Sequence, residues 1–475
     1  MRETRIVSAA EIAAQREFIN KIYSRNKGLF KQPLAFVETY GCQQNSSDSE
    51  KIMGMLSDMG FGFCKTAQEA DLVLYNTCAV RENAELRVFG NIGALKHEKR
   101  RRPDMIIAVC GCMMQQEHIA KTIKKKYDHV DLVFGTHALY RFPQLLDGVI
   151  NGGRVFDTEN EEGSIFEEIS YKREAPPLAK IPIMYGCNNF CTYCIVPYVR
   201  GREVSRSPKA ILEELEQLSA RKVKEVTLLG QNVNSYTYED ETYGKVDFPQ
   251  LMQMIAAFLK KIDSSIGWVR FMSSHPKDIS EKLIDVIAKE RVICRHIHLP
   301  VQHGSTKVLQ EMNRRYTRED YLAKINMIRQ KLPDVSLTTD IMLGFPGETE
   351  EDFQDCITLL ETVGYEAAFM YYYNPREGTK AYAMENQIPL EVKKSRLSKV
   401  IDIQLAINRR EMTKRVGTVA KVLVECVSKD NEKELLGRTE QDEHVVFPAT
   451  KDLIGSFTSV KILELVGNTF KGELV

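Results

Sequence analysis

The sequence predicts an α/β protein in three parts: an N-terminal parallel α/β domain, a central partial (β/α)6 barrel and a small C-terminal β-barrel. Three observations lead there. Four short apolar runs alternate with helical patterns across residues 34–150. Strand–helix units then repeat across 178–385, and alternation of this kind marks parallel sheets. From residue 418 onward the pattern changes to β-branched alternation broken by turn residues, as in small closed barrels. A chain of 475 residues is also too long for one ordinary core.

The elements follow in order. Residues 1–33 predict an appended helix. Ser8 and Glu11 have capping-box spacing, and Ile12, Phe18, Ile19 and Ile22 supply an apolar stripe. It carries no evident chemistry. Residues 34–150 form the first α/β domain, with strands at 34–39, 71–76, 105–109 and 130–134 and helices at 47–59 and 80–99. A cysteine lies at the carboxyl end of each of the first three runs: Cys42, Cys78, and the pair Cys110 and Cys112. In an open parallel sheet those ends share one edge, where ligands bind. Three packed cysteines and a ligand set both fit this placement. Residues 151–177 read as a connector: N-G-G, the acidic run E-N-E-E-G at 159–163, then A-P-P at 175–177.

Residues 178–411 form the barrel and a linking helix. Strands are expected at 181–185, 225–230, 268–273, 296–301, 336–343 and 367–373, with helices at 208–220, 248–260, 277–288, 318–330 and 350–363. The active edge is the carboxyl end of the strands. The linking helix, 386–411, carries Leu397, Val400, Ile401, Leu405 and Ile407 among charges. Residues 412–475 form the terminal five-strand barrel, with strands at 418–427, 445–447 and 458–465 and a turn at 429–434.

Charge and composition exclude little but direct the search. Lys plus Arg equals Asp plus Glu at 65 each, so any nucleic-acid surface must be a local patch. No apolar run reaches the length of a membrane span, and the N-terminus lacks a secretory h-region. A cytoplasmic protein with no membrane partner is expected. Eleven cysteines in that setting point to metal or redox use rather than disulfides.

The chemistry centres on Met184 to Pro208. Cys187, Cys191 and Cys194 have spacing C-x3-C-x2-C, with Tyr193 just before the last. Three thiolates this close read as ligands. They hold three irons of a cubane cluster and leave the fourth open to bind something else. Polar and glycine residues collect at the other strand ends: Gly230, Gln231 and Asn232; Ser273 and Ser274; Gln302 after the fourth strand; Asp340 and Gly344 in the fifth. Each is weak singly, because such clusters also mark ordinary turns. Their shared edge gives them weight. His275, His296 and His303 lack metal-ligand spacing, so surface or hydrogen-bonded roles are expected for them. Cys64, Cys294, Cys356 and Cys426 are expected to pack.

The three-cysteine loop resembles the signature of the radical S-adenosylmethionine (SAM) superfamily. The resemblance implies that Cys187, Cys191 and Cys194 hold a 4Fe–4S cluster and act in catalysis. It implies that SAM chelates the open iron and is cleaved reductively to methionine and a 5′-deoxyadenosyl radical. Tyr193 then stands where the backbone meets the adenine. Gly230, Gln231, Asn232, Ser273, Gln302, Asp340 and Gly344 stand in segments similar to SAM-contacting elements. The order of the three domains further resembles the methylthiotransferases, whose C-terminal module is the RNA-binding TRAM domain. The stretches at 38–43, 76–84, 90–96, 110–113 and 186–202 are most similar to the tRNA branch, which acts on N6-isopentenyladenosine at tRNA position 37.

This likeness implies a second 4Fe–4S cluster on Cys42, Cys78 and Cys112. C-G-C offers two thiols at that strand end, and the family register favours Cys112 over Cys110. It also implies hydrogen abstraction from C2 of the adenine, sulfur insertion there, and methylation of the sulfur by a second SAM. The partners implied are a tRNA anticodon stem-loop and a flavodoxin or ferredoxin as electron donor, with the enzyme a monomer. Two positions depart from that branch: Gln44 replaces a common Met, and Val204 a common Arg. Arg200, Arg202 and Arg206 are left to bind any anion near the loop. Among the basic runs, Arg409, Arg410, Lys414 and Arg415 and the terminal barrel are expected to meet RNA phosphates. Lys96 to Arg102 and Lys121 to Lys126 are less directly implicated. The alternatives are a methylthiotransferase for threonylcarbamoyladenosine of tRNA or for a ribosomal-protein aspartate, and a non-catalytic RNA-binding iron–sulfur redox sensor.

Overall fold

The strands Leu72–Thr77 and Ile106–Gly111 are buried on both faces almost throughout, which requires helices on each side of a parallel sheet. The computed structural model describes residues 5–475 except 81, 159–163, 166, 168–170 and 174–175. The chain forms two compact units. One comprises residues 1–174, 184–188 and 195–204; the other comprises 175–183, 189–194 and 205–475.

The first unit is built on a six-stranded sheet in the order Gly62–Phe63, Leu34–Thr39, Leu72–Thr77, Ile106–Gly111, Leu132–Phe134, Val155–Asp157, every pairing parallel. Side-chain alternation divides its core. Leu72, Leu74, Ala108, Cys110 and Leu132 face one layer with Ile12, Ile22 and Met55. Val73, Tyr75, Ile107, Val109 and Val133 face the other with Val88, Ile92 and Ile119. The N-terminal helix is Ala9–Lys27, and the capping box forms: the Glu11 amide donates to Ser8 Oγ and the Ser8 amide to Glu11 Oε2. The connector differs from expectation, because Val155–Asp157 is an edge strand of the sheet. Three residues are too few to show a period, and pairing with Leu132–Phe134 decides their state. The acidic run at 159–163 lies outside the described residues.

The second unit holds two three-stranded parallel sheets. One runs Leu178–Pro182, Glu225–Leu229, Trp268–Phe271; the other runs His296–His298, Ser336–Leu343, Ala367–Tyr372. Backbone bonds from the Val269 amide to Val292 O and from the Cys294 amide to Val269 O join them into an open six-strand barrel. The linking helix is Leu390–Thr413. The terminal strands close as Val419–Val427, Glu434–Thr439, His444–Pro448, Thr469–Leu474, Phe457–Val466. Two register shifts, at Val424/Cys426 and Ile462/Glu464, bend strands around the closure.

This small barrel packs at the amino ends of the first sheet's strands. Trp268 and Phe457 meet edge to face with centroids 4.8 Å apart. Glu225, the first residue of its strand and 2% exposed at its side chain, takes ion pairs from both Arg270 and Arg438. The opposite edge carries Gly230 and Ser273.

Candidate functional site

In the first unit, Cys42, Cys78 and Cys112 converge at the carboxyl edge of the sheet. Cys42 precedes the helix Gln43–Asp58, and Gly111 turns the chain sharply before Cys112. Two glycines make the approach possible. Gly41 has φ +123°, and a Cβ there would lie 2.5 Å from Cys78 Cβ. Gly111 has φ +98°, and a Cβ would lie 2.4 Å from Asn76 Oδ1. Asn45, fully buried, is the hub. Its amide nitrogen donates to Tyr40 O and Thr77 O. Its Oδ1 lies 3.6 Å from Cys42 Sγ and 3.7 Å from Cys112 Sγ. The Val80 amide donates to Cys78 Sγ at 3.3 Å.

Arg200 completes this cluster. Its Nε donates to Cys112 Sγ at 3.1 Å, and its Nη2 to Asn45 Oδ1 and Asp48 Oδ2 at 2.8 Å each. Burial pushes the Cys112 thiol up to about 12, the Arg200 charge opposes it, and Cys42 and Cys78 add to it. Thiols in such a site lose their protons to a metal rather than to water. Cys110, by contrast, turns into the apolar layer with Leu74 and Phe134. Residues two apart on a strand share a face, so it is the turn at Gly111, where the strand ends at φ +98°, that separates the two thiols of C-G-C.

The three-cysteine loop lies partly in each unit. Cys187 is buried in the first, its amide donating to Gly201 O at 3.1 Å. Cys191 and Cys194 are in the second, where the segment following the helix Thr306–Glu311 fixes the loop. Asn313 Nδ2 donates to Asn189 O and Phe190 O, and the Thr192 amide to Met312 O. Arg314 is buried. Its Nη1 donates to Cys191 Sγ at 3.3 Å and Tyr193 Oη at 3.4 Å, its Nη2 to Pro300 O, and its Nε to Tyr316 Oη. None of the eleven cysteines forms a disulfide. Among the described residues no three His, Cys, Asp or Glu side chains are placed to hold a single metal ion.

Along the same edge of the second unit, Ser273 and Gln302 have positive φ, +66° and +75°. Phe190, Asn313 and Arg315 do too, so five of the eight such non-glycine residues described gather here. Backbone strain concentrated this way is typical of ligand-holding loops. Gln302 Nε2 donates to Asp340 Oδ2, and Tyr371 Oη donates to Gln302 Oε1. Asn232 is fully buried and donates to Asp278 at 2.7 Å, and the Val233 amide donates to Ser273 O. Gln231 Oε1, Asn232 Oδ1, Asn189 Oδ1 and Ser274 Oγ are buried with no hydrogen-bond partner among the described residues. Buried polar atoms are normally paired, so this row of unpaired ones fits a polar ligand carrying amino, carboxylate and ribose groups.

Gly344 donates its amide to Glu348, and a Cβ there would meet Lys393 at 2.3 Å. Arg206 is buried against Glu214 and Pro182 O and is not available to an anion, and Arg200 serves the cysteine site. His275, His296 and His303 are all buried. His303 donates to Glu348 at 3.1 Å, and His296 shares Thr338 Oγ1 with His298. Cys426 is exposed rather than packed. Arg410 and Lys414 pair with Glu411, and Arg415 with Glu443. The sequence reading missed Asn45, Asp48 and Arg314. The N-R-R motif at 313–315 was a visible signal, whereas nothing local marks Asn45.

Residues 181–360 match the Radical SAM superfamily, 35–135 the uncharacterized protein family UPF0004, and 413–475 the TRAM domain. Among solved structures, the fold is similar to that of a radical S-adenosylmethionine methyltransferase from Kitasatospora setae solved with cobalamin and a [4Fe–4S] cluster. The TM-score is 0.55, over 74% of this chain and 77% of that one, at 14% identity. The fold and the three-cysteine loop define a radical SAM enzyme.

Full-length relatives narrow this. The tRNA-2-methylthio-N(6)-dimethylallyladenosine synthase of Alkaliphilus oremlandii is 47% identical over 99% of this chain and 98% of the relative. That of Acetivibrio thermocellus is 46% identical over 99% and 97%. The chain belongs to the family of tRNA-2-methylthio-N(6)-dimethylallyladenosine synthases.

Proposed function

We propose that this chain converts N6-isopentenyladenosine, next to the anticodon of tRNA, to its 2-methylthio derivative. The observation that carries this reading is the convergence of Cys42, Cys78 and Cys112 on Asn45, in a chain whose barrel has its own three-cysteine loop. A C–H bond at C2 of adenine is neither acidic nor electrophilic, so side-chain acid–base chemistry cannot activate it. When bound, two 4Fe–4S clusters and SAM supply the carbon radical, the sulfur and the methyl group, chemistry that belongs to cofactors rather than to side chains.

The protein's part is positioning. Cys187, Cys191 and Cys194 would hold one cluster, and Cys42, Cys78 and Cys112 the other. Gln231, Asn232 and Ser274 meet the polar groups of SAM, with Gln302 and Asp340 ordered by Tyr371 and each other. Tyr193 borders that site, held by Arg314. Residues 34–150 form the auxiliary-cluster domain, 178–411 the barrel with its linking helix, and 412–475 the RNA-binding barrel. Residues 1–33 are an appended helix, and 151–177 connect the two parts while contributing the edge strand Val155–Asp157 to the first.

The substrate partner is the tRNA anticodon stem-loop, and its target base must leave the stack to reach the barrel edge. Electrons come from a flavodoxin or ferredoxin, and the enzyme works as a cytoplasmic monomer. No helix among the described residues is long and apolar enough to cross a membrane.

Incubation with SAM, a low-potential reductant and isopentenylated tRNA tests the reading. It should give 5′-deoxyadenosine and a 2-methylthio nucleoside detected by mass spectrometry. Iron–sulfur protein that binds the tRNA but forms neither product would instead be a redox sensor.

A further inference from the structure

We propose that Arg200 is a positioning residue for the auxiliary cluster, holding Cys112 in ligand orientation and setting the cluster's reduction potential with a fixed positive charge. The inference rests on the reading that Cys42, Cys78 and Cys112 hold that cluster. Arg200 ends the short helix Val196–Arg200, and its side chain is 6% exposed. An arginine this buried needs compensation, because an unpaired buried charge is strongly destabilising. Asp48, 9% exposed at its side chain, provides it through Nη2. A purely structural ion pair would end there. Here the Nε–H is directed to Cys112 Sγ at 3.1 Å, while Nη2 also grips Asn45, whose Oδ1 lies near the sulfurs of Cys42 and Cys112.

One guanidinium therefore ties the ligand sulfur, the hub asparagine and the charge-balancing carboxylate into a fixed array. The bond to Cys112 strengthens when that sulfur is a thiolate, since a charged donor then meets a charged acceptor. Hydrogen bonds to sulfur and local charge are two of the levers that set cluster potentials. The helix itself does not depend on Arg200. Ile195 and Val199 pack with Ala79 and Cys112, and Thr136 Oγ1 donates to Val199 O at 2.6 Å. Replacing the side chain should leave the helix docked.

The test uses full-length protein in which Cys187, Cys191 and Cys194 are all alanine, so that any iron–sulfur signal comes from the auxiliary site. This background is reconstituted anaerobically with iron and sulfide, with Arg200 intact, as Arg200→Gln and as Arg200→Lys. The midpoint potential is read by EPR-monitored titration and iron retention by transfer to a chelator. Arg200→Gln should shift the midpoint to more negative values and release iron about 10-fold faster, the scale on which partners of metal ligands act. Arg200→Lys should recover most of the potential, because it keeps the charge.

Unchanged midpoint and retention in Arg200→Gln overturn the proposal. If the background with Arg200 intact binds no cluster, the auxiliary-cluster reading itself fails and the proposal with it. If Arg200→Gln does not fold, Asp48→Asn decides: leaving the guanidinium uncompensated should move the midpoint positive, and no movement overturns the proposal.

Discussion

Cys187, Cys191 and Cys194 come from a single eight-residue stretch, whereas Cys42, Cys78 and Cys112 come from three strand ends spread over 71 residues. The first set is gathered by chain connectivity. Its loop is then fixed by hydrogen bonds to Met312 O and from the Asn313 side-chain amide. The second set is gathered only by the order of strands in a parallel sheet and by two glycines that let the chain ends close in. Both sets nonetheless share a device. One buried arginine donates to one cysteine sulfur in each, Arg314 to Cys191 and Arg200 to Cys112. Arg200 is balanced by Asp48, while Arg314 is held by carbonyl and phenol oxygens. Two different routes to three thiols thus converge on the same way of placing positive charge beside them.

The largest way to separate the two sites is to remove one ligand from each. Cys191→Ala should abolish reductive SAM cleavage, measured as 5′-deoxyadenosine. Intact cleavage in that variant would break the assignment of the barrel loop. Cys78→Ala should keep SAM cleavage yet stop sulfur insertion, measured as the 2-methylthio nucleoside. Continued thiolation would reduce the strand-end site to packing.

The arginine parallel is sharpened next. Arg314→Gln should weaken iron retention at the barrel loop by about 10-fold to 100-fold, the effect expected of a partner that orients a metal ligand. Retention at the Cys42, Cys78 and Cys112 site should stay unchanged. Equal loss at both sites would mean a folding defect rather than a local role.

The smallest effect concerns pH. His137 is lowered to about 4, first by burial and then by the nearby Arg200 charge. A folded value below the ordinary 6.5 means that the unfolded chain takes the proton first. The stability from keeping His137 neutral is therefore complete above about 6.5 and is lost as pH falls toward 4. Arg200→Gln should move the His137 titration, followed by NMR, back toward 6.5. No movement would place Arg200's charge out of reach of His137.

Legibility followed the same division. The strand Ser336–Leu343 and the helices Pro208–Ala220 and Glu350–Val363 have the bounds their patterns predict, because long periodic segments advertise their own state. The strand Val155–Asp157 was not legible, since three residues carry no period and the neighbouring strand recruits them. Cys187, Cys191 and Cys194 could be picked out by spacing. Asn45 could not, because a buried asparagine in a helix has no local mark until the sulfurs around it are known.

By itself, then, the sequence determined the three-part α/β plan and the barrel's cysteine loop, through periodicity and short-range spacing. The tertiary structure placed Cys112 rather than Cys110 beside Cys42 and Cys78, as the family resemblance implied, because the two thiols leave the strand end in different directions. It alone turned Arg200 from an anion-binding candidate into the partner of a cysteine. The physical reason is range. Hydrogen bonds such as Arg200 to Cys112 join residues 88 apart, and only packing brings them within 3.1 Å.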